Sequence, residues 1–116
     1  MRPLLALLCL LPLLAQADAC LVHSQGEGLD VQVCQVNRNI PASLFRDGFC
    51  QPQLQGQQVE VSFVERCPAG SIGVCEAAQA GGGPYQQDIH YYGVPSDARY
   101  LQLACQTQYQ GRWRAP

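Results

Sequence analysis

Cysteine placement constrains this chain more than any other feature. Of its seven cysteines, Cys9 lies in an apolar N-terminal run, and six follow at Cys20, Cys34, Cys50, Cys67, Cys75 and Cys105. The N-terminal run points to the compartment in which those six would work. Arg2 precedes an apolar stretch from Leu4 to Ala15, and Ala17-Asp18-Ala19 then offers small residues to a signal peptidase. That is the order of a secretory signal: charged region, apolar region, cleavage site. As a helix the stretch covers about 18 Å at 1.5 Å per residue, short of the roughly 30 Å hydrocarbon core, so it targets the chain without anchoring it. The expected organisation is residues 1–19 as signal peptide and residues 20–116 as a single disulfide-rich exported domain. An even number of cysteines in an oxidising compartment reads as disulfides, and six thiols allow 15 connectivities.

Cys20 directly follows Ala19, which raises the alternative of a lipoprotein carrying lipid on the Cys20 sulfur. Such signals favour an aliphatic residue three before the cysteine and a small one two before, where this chain has Ala17 and Asp18. Lipidation would also leave an odd thiol. Simple cleavage to a periplasmic or secreted domain therefore ranks ahead of a lipid anchor at Cys20. No second apolar stretch of spanning length follows Cys20, so no transmembrane segment is expected after cleavage.

Once Arg2 and Asp18 are set aside, six arginines face eight acidic residues, and lysine is absent. That balance leaves no basic footprint for nucleic acid or for an anionic lipid surface.

Hydrophobic periodicity sets the fold class. Leu29 to Val36 alternates, with Leu29, Val31 and Val33 on one face and Asp30, Gln32 and Cys34 on the other; Val59 to Glu65 does the same through Val59, Val61 and Phe63. Ser71 to Glu76 and Gln86 to Tyr92 read as shorter strands, and these four make the expected sheet. A helix is expected after Pro95, capped by Ser96, with Asp97 in its first turn and Ala98, Leu101 and Cys105 stacked on one side. It should end near Gln110, with Gly111 just past it and Trp113 folding back on the apolar face. A weaker helical turn runs from Pro41 through Arg46, stops at Gly48 and leaves Cys50 just beyond. The class is α+β: a small disulfide-stapled antiparallel sheet with one or two short helices, arranged as two similar strand-helix units. The first unit would use Cys20, Cys34 and Cys50, and the second Cys67, Cys75 and Cys105. With three cysteines each, at least one bridge must join the units. A Cys75–Cys105 bridge is the favoured staple of helix to sheet.

The segment from Cys67-Pro68 through Gly73-Val74-Cys75, followed by Tyr91-Tyr92, Ala104-Cys105 and Gly111-Arg112-Trp113, resembles a group of small exported bacterial cysteine-rich proteins of unknown function. The resemblance covers most of residues 50–116 and meets the first unit only through cysteine spacing. A link to a respiratory NADH:quinone oxidoreductase, which similar chains suggest, finds no support in the residues. There is no Gly-x-Gly-x-x-Gly after a strand and no ferredoxin cysteine spacing.

Catalytic chemistry finds little footing. A thiol–disulfide oxidoreductase would show Cys-x-x-Cys, yet no two cysteines lie closer than Cys67 and Cys75. His23 and His90 lack the paired spacing of metal ligands and read as ordinary surface or hydrogen-bonded histidines. Gly70-Ser71-Ile72-Gly73 is a tight turn into a strand, not a nucleophile elbow. No catalytic, cofactor or metal residues are therefore assigned. What remains is recognition: tyrosines and Trp113 gather in the second unit, with Tyr91, Tyr92 and Trp113 as candidate contacts for an envelope or extracellular protein or glycan. The leading expectation is a non-enzymatic binding or structural module. The alternative is a thiol- or metal-dependent envelope accessory protein, for example one linked to a respiratory oxidoreductase.

Overall fold

Alternating apolar residues need something to bury them, and the chain answers with one sheet covered on a single face by two short helical segments. The computed structural model describes residues 19–51, 56–79 and 83–116, so the proposed signal segment up to Asp18 lies outside them. Six strands, β1 (Ala19–Gly26), β2 (Leu29–Asn37), β3 (Gln58–Val64), β4 (Gly73–Gln79), β5 (Gln86–Tyr91) and β6 (Arg112–Arg114), form an antiparallel sheet in the order β3-β1-β2-β5-β4-β6. The four expected strands are present, extended or shifted by up to three residues at their ends. The structure adds β1 and β6.

Strand β1 escaped the sequence reading because its start overlaps the cleavage site. Ala19 is its first residue, buried and paired with both Val36 and Val64. Strand β6 is only three residues long, too short to show a period. It forms beside β4 because Trp113 lies opposite Cys75.

The register places Cys20, Val22 and Ser24 of β1, Val33 and Gln35 of β2, Val59 and Val61 of β3, Ile89 and Tyr91 of β5, and Cys75 and Trp113 on the same face. Helix α1 (Ala42–Leu44) runs into a single π turn, Phe45–Phe49, and drops Phe45 onto this face against Cys20, Val22, Ile40 and Cys50. Asn37 sets the turn into that segment: its side chain donates to the Ile40 carbonyl at 2.7 Å and accepts the Ile40 N–H at 2.7 Å. Helix α2 (Ala98–Thr107) covers the other half, packing Cys105 with Cys75, Ala78 and Ile89. Val33 touches both clusters and joins them into one core.

Helix α2 departs from expectation at both ends. Pro95–Asp97 forms a 3-10 turn ahead of it, and Ser96 makes no capping hydrogen bond. The helix stops at Thr107, and the left-handed residue that follows is Gln110, at φ 54°, rather than Gly111. Gly111 is needed for a different reason. A Cβ there would stand 2.6 Å from the Cys75 Sγ and 3.1 Å from that of Cys105.

Three disulfides close the structure: Cys20–Cys50, Cys34–Cys67 and Cys75–Cys105, with sequence separations of 30, 33 and 30 residues. The first and third each pin a strand to its covering segment, so the favoured helix-to-sheet staple is present. Cys34 instead faces the opposite side of the sheet and holds the connection from β3 to β4. Each unit is therefore hairpin, helix, strand, and the strand order reads the same from either edge. This corrects the cysteine correspondence between the units. Cys20 matches Cys75 and Cys50 matches Cys105, while Cys34 and Cys67 form the bridge between units instead of occupying matching places. Among the described residues, no helix is long and apolar enough to cross a membrane.

Candidate binding groove

Between the two helical covers the middle of the sheet is only partly roofed. Two adjoining hollows lie there, of about 360 Å³ and about 260 Å³, and both are bounded by Val33 and Tyr91. The larger opens at one end of the sheet, between the start of β2 and the chain leading into α2. Val31, Val94, Tyr100 and Leu101 give it an apolar lining, with Asp30 and Asp97 at its edge. Val94 and Tyr100 are 60% and 62% exposed, far more than a core role requires.

The smaller hollow has a polar floor. Gln35 and Gln87 are more than nine-tenths buried, and Gln35 Nε2 donates to Gln87 Oε1 at 2.8 Å and to the Phe49 carbonyl at 3.0 Å. This amide pair sits where β2 meets β5. It satisfies buried polar groups that would otherwise cost roughly 1–3 kcal/mol each. Tyr109 closes the rim.

The three contact aromatics named from sequence do different jobs. Tyr91 is half-buried and stacks on Trp113, with ring centroids 6.0 Å apart and planes at 29°. Burial, with a smaller contribution from Tyr109, pushes the Tyr91 phenol up to about 12. Trp113 lies against the backbone of Gly73, so it is chiefly a packing residue. Tyr92 lines the larger hollow, and its hydroxyl donates to the Pro68 carbonyl at 2.7 Å, tying the end of β5 to the β3–β4 connection. Tyr100, Val94 and Val31 complete the groove. Sequence periodicity could not single them out, because exposure of an apolar residue depends on where its neighbours stop.

The histidines lie elsewhere. His23 Nε2 pairs with Asp30 Oδ1 on the opposite face. His90 borders a separate hollow of about 310 Å³ with Cys67, Ser71 and Arg114, and burial followed by the Arg114 charge lowers its pKa. Among the described residues, no group of three or more His, Cys, Asp or Glu is placed to hold a metal ion. All six cysteines of the described chain are in disulfides; five of them are fully shielded, and Cys67 alone is partly exposed. The Cys20 sulfur is bonded to Cys50, so this structure leaves it no valence for a lipid thioether. Compared with known proteins, the chain matches no family model, no curated protein and no solved structure.

Proposed function

We propose that this protein is a non-enzymatic binding module of the cell envelope or exterior, exported by its N-terminal signal without a lipid anchor, and that the groove between the helical covers receives its macromolecular partner. The observation that carries this reading is that exposed Val31, Val94 and Tyr100 gather around one concavity, whereas exposed Leu29, Leu44, Phe63 and Leu103 do not line it. Contiguous apolar surface around a concavity is the usual mark of a binding site, and amphipathic rings such as Tyr100 are effective contact groups. The three disulfides fit an oxidising compartment.

A photo-crosslinking residue placed at Tyr100 tests the reading in the exporting cell, with the same residue at Arg46, on the other cover, as reference. A defined adduct from position 100 that is missing from position 46 is the expected result. Adducts equal from both positions, or from neither, would remove the groove as the contact surface.

One observation favours a second, thiol-dependent reading: among the described residues Cys67 is the only partly exposed cysteine, and it borders the hollow that holds His90. That reading requires the Cys34–Cys67 bridge to open in the working protein. Alkylation of the freshly exported protein, without reductant, tests it. Complete resistance to labelling would eliminate it.

A further inference from the structure

The larger hollow borders the start of β2, along a stretch that β5 does not accompany. Strand β2 pairs with β1 along Leu29 to Val36, but β5 accompanies it only from Val33 to Asn37. In an antiparallel pair, alternate residues turn their backbone groups to opposite sides. The Tyr92 N–H donates to the Gln32 carbonyl at 3.3 Å, and the Arg38 N–H donates to the Gln86 carbonyl at 3.2 Å. Even-numbered residues of β2 therefore face the lane of β5. Asp30 follows the same alternation, so its N–H and C=O face that lane beyond the point where β5 has left it. Past Tyr92 the chain turns away through Gly93 and Val94 to the 3-10 turn at Pro95. The result is a short open strand edge with an apolar wall on its far side, formed by Val94, Tyr100 and Leu101.

Resting on the binding-module reading, we infer that this gap takes a short extended segment of another polypeptide, added antiparallel to β2 in the lane that β5 vacates. Strand addition to an open edge combines main-chain hydrogen bonds with pockets for alternate side chains. Both are in place here: the Asp30 backbone faces the gap, and Val31 and Leu101 offer an apolar seat. A hollow of about 360 Å³ suits a few residues. The electrostatics narrow the partner further. Among the described residues lining the gap, the charged side chains are Asp30, whose carboxylate pairs with His23 on the opposite face, and Asp97, so the acidic charge offered to the gap is that of Asp97. The complementary segment is apolar at alternate positions and carries arginine or lysine beside them. The open Asp30 backbone favours a polypeptide over a glycan, because an extended chain can return both main-chain hydrogen bonds.

Amide chemical shifts of the exported, oxidised, 15N-labelled protein test the inference with the probe acetyl-Arg-Val-Thr-Val-Arg-amide. The expected result is saturable shifts at the Asp30, Gln32 and Gly93 amides. N-methylation of the probe amide that donates to the Asp30 carbonyl should weaken binding about two- to tenfold, the scale of one lost hydrogen bond. Asp97→Asn, at an exposed position, should weaken it about two- to fivefold, the scale of one exposed ion pair. Replacing both probe arginines with glutamates should weaken it further. Absence of shifts at millimolar probe, shifts confined to other surfaces, or equal binding of the N-methylated probe would each overturn strand addition. If the adduct at position 100 persists while the probe fails, or if that adduct proves to be a glycan, only the polypeptide inference falls. Loss of the position-100 adduct would remove the binding-module reading itself.

Discussion

Replacing Gly73 with alanine tests the packing of β6 on the sheet more directly than any other single change. A Cβ on Gly73 would stand 2.5 Å from Cη2 of Trp113 and 2.7 Å from Cε2, and closer still to Cζ2. Ordinary carbon contacts begin near 3.5 Å, so the ring has to move by roughly 1 Å or more. It cannot simply slide toward Tyr91, which already stacks on it. Overpacking of this kind costs about 1–3 kcal/mol, and losing an aromatic pair about 0.5–1.5 kcal/mol more, so a destabilisation of about 2–4 kcal/mol is expected. That is a large share of the roughly 5–15 kcal/mol that small domains possess. Trp113 is the only tryptophan, which makes its fluorescence a local reporter as well as an unfolding signal. Urea titration should show the Gly73→Ala midpoint lowered by on the order of 1–3 M, with native emission shifted to the red. Gly83→Ala is the control, since nothing lies within 4 Å of its would-be Cβ; its effect should stay within about 0.5 kcal/mol. An unchanged midpoint and unchanged emission in Gly73→Ala would refute the close seating of the ring on β4.

The three disulfides close loops of nearly equal length, so chain entropy stabilises each by a similar amount, about 3.5 kcal/mol. Exposure then decides the order of reduction: mass mapping after brief treatment with reductant should find Cys34 and Cys67 labelled first. Asn37→Ala removes both bonds to Ile40 and should cost about 1–2 kcal/mol by denaturant titration, whereas Asn37→Asp, which keeps the acceptor, should cost less. The Tyr91 phenol should ionise near pH 12 in an ultraviolet difference titration against Tyr91→Phe. Its folded pKa lies above the unfolded value of 10, so its contribution to stability is complete below pH 10 and is lost as pH rises toward 12. A Tyr91→Phe variant should lose that part of the alkaline decline.

How far the sequence reveals this fold depends on the length of each periodic segment. Val59, Val61 and Phe63 alternate long enough to identify β3, and the cysteine at the end of the apolar stripe Ala98, Leu101, Cys105 identifies the staple to β4. Strand β6 has no such length, and it forms only because β4 and Trp113 are brought together. Ala77 is a further case. Its left-handed φ of 54° and the register shift between Cys75 and Ala78 depend on the Asp88 carboxylate, which accepts the Ala77 N–H at 2.9 Å and pairs with Arg38. Such a bulge is set by a residue eleven positions away on the next strand, and local pattern cannot show it. The groove was legible only in part. Tyr91 and Tyr92 stood out as aromatics, but the gap beside β2 depends on where β5 ends, a tertiary property carried by no residue type.

The mirror-like order of the strands has a consequence for how such a chain could arise. A lone hairpin-helix-strand unit would leave β2 as a naked edge, and two identical units meeting along that edge would rebuild the whole six-stranded order. The present chain is in effect a twofold homodimer joined end to end, with Cys34–Cys67 fastening the join. Fusion frees the halves to diverge. The halves differ: the first is covered by a three-residue helix and a π turn, the second by a ten-residue helix, and β5 has six residues against nine in β2, which leaves the gap. Residues 19–64 produced alone should therefore self-associate in pairs through β2, and sedimentation would reveal whether that edge pairs with a second copy.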